Sequence, residues 1–335
     1  SISADLHGII RGSGLNYLSE LLDIQVNTSG EIGFWLGVSE GENQITLNAN
    51  LENLSLTNRD SRFSLDRVSF ESKVTGNLEA AKFWIQNLSL EANGQKSEIK
   101  RIQLSRDRAS LNLRSEDVDI GLLCNISLES GAIVGDAATV LQSLNPRGSL
   151  ATVEWSTESY HDSVLKWRLS SEVNDFSADP YRAAPGLYGI DASLQANESS
   201  VNVSILAENS RIYLPFFYNE PIPFASASGR ITATLGKDLL FLRNGLFSVK
   251  FDDYDLLLQY EMDLPLQPAS RDARTISFSA AVTDTSSSAI QTFVPHRMSD
   301  SLNSWLKSAL PSAQINQGIF LWHGNLKPYG HVNTN

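Results

Sequence analysis

The chain has 335 residues, 41% hydrophobic and 19% charged, with a formal net charge of −12. This composition buries a core and excludes a disordered polymer, while the acidic balance excludes nucleic acid and anionic headgroup charge as main handles, since both need clustered Lys and Arg. The length exceeds what most single cores hold, so two domains or one elongated, repetitive sheet is expected.

In chain order, "LNYLSELL" places Leu15, Leu18 and Leu22 at helical spacing ahead of the strand-like "EIGFWLGV". "RVSFESKV" then alternates with period two, Val68, Phe70 and Val74 sharing one face, and "ASLNL" does the same with Ala109, Leu111 and Leu113. "GDAATVLQSL" is a second helical pattern, leading into "SLATVEWS". Beyond it the alternation returns in "LKWRLSSEV", "VNVSILA", "GRITATL", "LFSVKF" and "ISFSAAV", separated by turn signals such as "NESS" and "LRNG". Near the end "SLNSWLKSAL" is helical until Pro311, and "INQGIFLWHG" resumes as a strand. A meander of antiparallel strands with one wet and one dry face is predicted, interrupted by three helix-to-strand units. Trp305 and Leu306 are expected to bury together beneath the last helix.

The dry face defines the candidate site: Phe70, Trp155, Trp167, Leu169, Val203, Ile205, Ile231, Phe247, Val249, Phe251, Phe278, Phe320 and Trp322. A one-residue bulge would reverse any of these assignments.

Motifs for chemistry are missing. His7, His161, His296, His323 and His331 are scattered without metal-ligand spacing. No Gly-X-Ser-X-Gly elbow, P-loop or dinucleotide glycine pattern occurs. Asp252, Asp253 and Asp255 lack the glycine and distant glutamate of a calcium loop, and "YHDS" reads as a polar hairpin tip. Neither an enzyme, a cofactor nor a metal is expected. Cys124, the one cysteine, cannot form an intrachain disulfide. Six Asn-X-Ser/Thr sequons, at Asn27, Asn53, Asn87, Asn125, Asn197 and Asn202, read as chance matches in an Asn- and Ser-rich chain. No stretch reaches the roughly 18 apolar residues of a membrane span. Opening on Ser1, the sequence reads as a processed chain or an excised piece.

Four segments between residues 131 and 324 occur in a recognisable order: a helix into "LNPRGSLATVEWS", then "FSADPYRAAPGLYGIDASLQANES", "SRIYLPFFYNEPIPFASASGRITATL" and "VPHRMSDSLNSWLKSALPSAQINQGIFLWHG". With the turn at Pro146, Arg147 and Gly148, the Pro185-Gly186 turn, and the Trp305-Leu306 helix before a strand ending at Gly324, they resemble the YhdP branch of the AsmA-like envelope proteins. Ala192 stands where a second glycine is expected, and residues 1–130 match in style alone.

The resemblance implies a mainly β fold: a long, strongly curved antiparallel sheet forming an open hydrophobic groove, with a few short amphipathic helices. It divides the chain into a segment 1–130 and a segment 131–335, read together as one continuous sheet. It implies phospholipid acyl chains as cargo, and inner- and outer-membrane components as partners of a periplasmic parent protein whose amino-terminal anchor lies outside this sequence. Two alternatives stay open: a closed β-sandwich or solenoid that recognises glycan or protein, and a hydrolase with an unrecognised carboxylate pair.

Overall fold

The computed structural model describes residues 4–325 except 12–24, 40–41, 59–60, 77–79, 93, 108–109, 130, 132, 159–165, 183, 216–217, 253, 267–274, 287–300, 302–303, 306–307 and 309–313. Among the described residues, 17 strands form one antiparallel sheet. A two-sheet sandwich is therefore not the architecture. The chain divides into two compact units, Ser1–Val173 and Asn174–Asn335. The division at 130/131 taken from the resemblance lies in the stretch of chain between the strands Ser110–Asp119 and Arg147–Glu158.

In the first unit the strands are β1 (Ala4–Arg11), β2 (Gln25–Ser39), β3 (Glu42–Asn58), β4 (Ser61–Gly76), β5 (Ala81–Ala92), β6 (Gln95–Arg106), β7 (Ser110–Asp119) and β8 (Arg147–Glu158). Each pairs antiparallel with the next in the chain. The amino-terminal half of β9 (Lys166–Ala178) comes next, where the Ser171 hydroxyl donates to the Thr152 carbonyl of β8 at 2.7 Å. Two helices, α1 (Ile120–Glu129) and α2 (Gly135–Leu144), join β7 to β8.

The second unit continues from β9 through β10 (Gly186–Asn197), β11 (Ser200–Tyr213), β12 (Ile222–Leu235), β13 (Leu239–Asn244), β14 (Phe247–Lys250), β15 (Asp255–Pro265), β16 (Thr275–Ser286) and β17 (Gln314–Asn325). β13 and β14 are two parts of one strand position, since both pair with β12 and with β15. At their junction the buried Asn244 side chain takes the place of a missing backbone rung. Its Nδ2 donates to the Leu258 carbonyl at 3.2 Å and its Oδ1 accepts the Tyr260 N–H. Paired thus, a buried amide costs little.

The predicted alternation explains why these segments are strands, but not why they bend. Five strands contain a non-glycine residue with positive φ: Asn53 in β3, Asn87 in β5, Asp117 in β7, Asp175 in β9 and Asn209 in β11. Asn and Asp tolerate this left-handed region better than other side chains because their short polar groups bond locally. Each such residue resets the alternation by one. Leu51 and Leu54 flank Asn53 at an odd spacing, yet both pack into the same apolar cluster. A bulge bends its strand, so within each unit the strands that carry one depart from a flat ribbon. Asn53 and Asn87 are two of the sequon asparagines; what the fold uses them for is a turn of the backbone.

Candidate functional site

Directly paired residues in an antiparallel ladder point to the same face, so register can be traced from strand to strand. In the second unit Val203 pairs with Ile231, Ile205 with Gly229, and Ala207 with Ala227. Ala227 pairs with Val249, which pairs with Leu256. Phe247 pairs with Leu258, Leu258 with Ala280, and Tyr260 with Phe278. Finally Phe278 pairs with Trp322 and Ala280 with Phe320. Phe251 packs with Phe247 on the cluster around Val249 and Ala227. All nine candidate residues of this unit thus lie on one face, and Phe278 and Phe320 set their rings 6.1 Å apart at 58°.

In the first unit Phe70 pairs with Ala49. From Val74, four residues along the same strand, the row runs through Phe83, Leu104 and Leu113 to Trp155. Trp167 and Leu169 are half-buried and alternate with exposed Lys166 and Arg168 in β9.

Within each unit this face is packed at one cluster and open elsewhere. One cluster gathers Ala49, Leu51, Leu65, Val68 and Leu90; a second gathers Ile190, Ala207, Phe224, Ala227 and Val249. Val249 is only 8% exposed and so belongs to the packed part. Away from the clusters, Leu6 (58%), Leu235 (51%), Phe320 (57%) and Trp322 (40%) stand in solvent on the same face. Beyond neighbouring strands, the main packing among described elements is that of α1 on β4, β7 and β8. Leaving large apolar groups uncovered is unusual on a scale larger than scattered residues.

The opposite face is wet. Cross-strand ion pairs run along it, Arg11–Glu31 at 2.7 Å, Arg114–Glu154 at 3.1 Å, Arg67–Glu52 at 3.6 Å and Arg243–Asp263 at 3.5 Å. Exposed as they are, these pairs add little stability. They keep that face in water and fix register. Isolated apolar residues interrupt it near both ends of the chain, where Trp35 leans on His7 with ring centres 6.5 Å apart and Ile319 and Leu321 are exposed.

The helices differ from expectation. α2 and its run into β8 lie where the sequence placed them, whereas α1 went unpredicted. Ser301, Ser304, Trp305 and Ser308 are helical, but Trp305 is 60% exposed, so the expected burial under that helix is not what forms. Leu306, the Leu15–Leu22 helix, Ala109, Leu165 and the "YHDS" tip lie outside the described residues. α1 and α2 line, with β4 and the β5–β6 turn, a partly open cavity of about 630 Å³. Among the described residues no group of three or more His, Cys, Asp and Glu could hold a metal, and no helix is long and apolar enough to cross a membrane. His323 bonds Ser277 through Nδ1 at 2.8 Å, and Asp255 pairs in register with Lys250.

A sequence profile for the family described as "YhdP protein" matches residues 10–333. No curated protein and no solved structure matches the chain.

Proposed function

The chain belongs to the YhdP family of AsmA-like envelope proteins, and from that premise we propose that it is a segment of a periplasmic protein that carries phospholipid along its apolar face between inner and outer membranes. The observation that carries this reading is the register-linked row from Val203 to Trp322, apolar on one side except for the internally bonded Asn244, partly open to solvent, and backed by a charged wet side.

The physical task is to shield acyl tails. Exposing a tail costs about 0.8 kcal/mol per methylene, so a whole chain crossing water unaided meets a barrier of roughly 10 kcal/mol or more. A floor of side chains such as Ile231, Phe278 and Phe320 replaces water along the tail. Because each rung offers similar contacts, movement from one to the next changes the energy little, which a carrier needs more than tight binding. The headgroup stays in water at the open side. No step requires a nucleophile, a metal or a cofactor.

A photo-crosslinking residue at Phe278 or Phe320, introduced into the protein in its cell envelope, should capture phospholipid, while one at Ser277 or Gln317 should not. Equal capture from both faces, or none from either, would remove the proposal.

A further inference from the structure

The β7–β8 connection carries something its neighbours in the first unit do not. Asp119 opens it by accepting the Leu122 N–H at 2.7 Å, which caps α1. Asn145 closes it in the left-handed conformation, donating its N–H to the Leu141 carbonyl at 3.0 Å, and Pro146 prevents the helix from continuing. Between these ends, Leu122 and Ile126 of α1 rest on the apolar cluster of the sheet. Here alone among the described elements the dry face has a roof.

The roof is incompletely packed. α1 is apolar at Ile120, Leu122, Leu123, Cys124, Ile126 and Leu128, yet neither α1 nor α2 contains a buried residue. Well-packed interiors leave few voids larger than a water molecule. Under this roof is the cavity of about 630 Å³, floored by Leu65 and Ala92 and walled by Leu122, Ile126 and Leu141, a size within the roughly 300–1,000 Å³ of ligand sites. Arg147, solvent-exposed and part of the Pro146-Arg147-Gly148 turn, lines it as well. The void adjoins the dry-face cluster at Leu65 and Ala92, and its lining carries the cations of Arg147 and Lys96 beside the carboxylates of Asp119 and Glu129.

We propose that this cavity is a binding site for one acyl chain of a phospholipid, entered from the dry face, with the lipid phosphate set against Arg147. The inference rests on the lipid-carrying reading and adds to it a defined waiting position on a surface otherwise without one. Polar and charged side chains, among them Lys96, Asn125, Glu129 and Gln142, share the lining with the apolar ones, so the chain is held there without being sealed in.

Cys124 lines the cavity and is the one cysteine of the chain, which makes it a native reporter. Burial, and secondarily the Asp119 carboxylate, push its thiol up from the ordinary value, so alkylation is monitored at alkaline pH. The delipidated protein is treated with N-ethylmaleimide alone, with vesicles of phosphatidylethanolamine and phosphatidylglycerol, and with inorganic phosphate. Vesicles should slow alkylation of Cys124 about tenfold once lipid exceeds its dissociation constant tenfold; phosphate alone should not. Arg147→Gln should weaken the protection, and Leu141→Trp, which fills the cavity, should slow alkylation without lipid and abolish the lipid effect. Protection by phosphate alone, or a rate indifferent to lipid while the residue at Phe278 still captures phospholipid, overturns this site and leaves the carrier reading standing. Indifference of Cys124 together with no capture at Phe278 removes both.

Discussion

Phe247 lays its ring against the backbone of Gly229, filling the space where any other residue would carry a Cβ. The Phe247 Cα itself would stand 3.0 Å from that Cβ, so turning the ring aside does not clear the site. This contact closes the interrupted strand position of β13 and β14 against β12. Gly229→Ala should therefore destabilise by about 1–3 kcal/mol, as overpacking does. Denaturant midpoints check it, and in a Phe247→Ala background the same change should cost measurably less, since the two residues share one contact.

Fold and carriage should separate along the dry face. Val249 is 8% exposed within its cluster and Phe320 is 57% exposed. A carboxylate at 249 has no water and no partner, so Val249→Glu should cost about 3 kcal/mol or more, on the order expected for a buried unpaired charge. Phe320→Glu should leave the midpoint within about 1 kcal/mol yet lower phospholipid capture at Phe278. A Phe320→Glu protein that carries lipid as well as the parent would count against tails passing over β17.

Trp305 offers a simple measurement. Read from the sequence as a core residue, it would lose about 3–5 kcal/mol on truncation to alanine. At 60% exposure the expected loss is below about 1 kcal/mol, and a midpoint shift of the larger size would show that this helix packs after all.

The bulge residues predict a specific order of substitutions. Asn53 has φ 51°, a region glycine enters freely and β-branched residues resist. Asn53→Gly should change stability by no more than about 0.5 kcal/mol, and Asn53→Val should cost about 1–3 kcal/mol. Equal effects of the two would mean that the side chain, not the backbone, holds the bulge.

Chelation should change nothing. With no cluster of metal-ligating side chains among the described residues, EDTA should leave the melting curve and lipid capture unaltered, and a loss of either would point to a site built by residues other than these.

Face by face, much of this was legible in the sequence, because period two is a direct imprint of a sheet wet on one side. Val203, Ile231, Phe278 and Trp322 fall together by alternation, and register joins them. The bulges were not legible. Asn and Asp permit a positive φ without requiring it, and six sequon asparagines look alike although Asn197 accepts from Ser199 and Ser200 in a turn while Asn53 bends a strand. α1 escaped for the opposite reason: "IGLLCNISLE" is apolar around most of its circumference, so it shows neither a helical stripe nor an alternation. The cavity it roofs depends on residues from Leu65 to Gly148 meeting in space, which no local pattern announces.

One bulge per pair of strands, from β3 through β11, has a consequence for how such a protein changes over generations. A hairpin that carries its own Asn or Asp bend brings its curvature with it. Duplicating or deleting one in the gene alters reach by two strands while leaving the facing of every other strand intact. An odd number would put the next connection at the wrong end and invert every later strand. Length in this lineage is thus expected to be inherited in steps of a hairpin, and homologues of different span should differ by even numbers of strands.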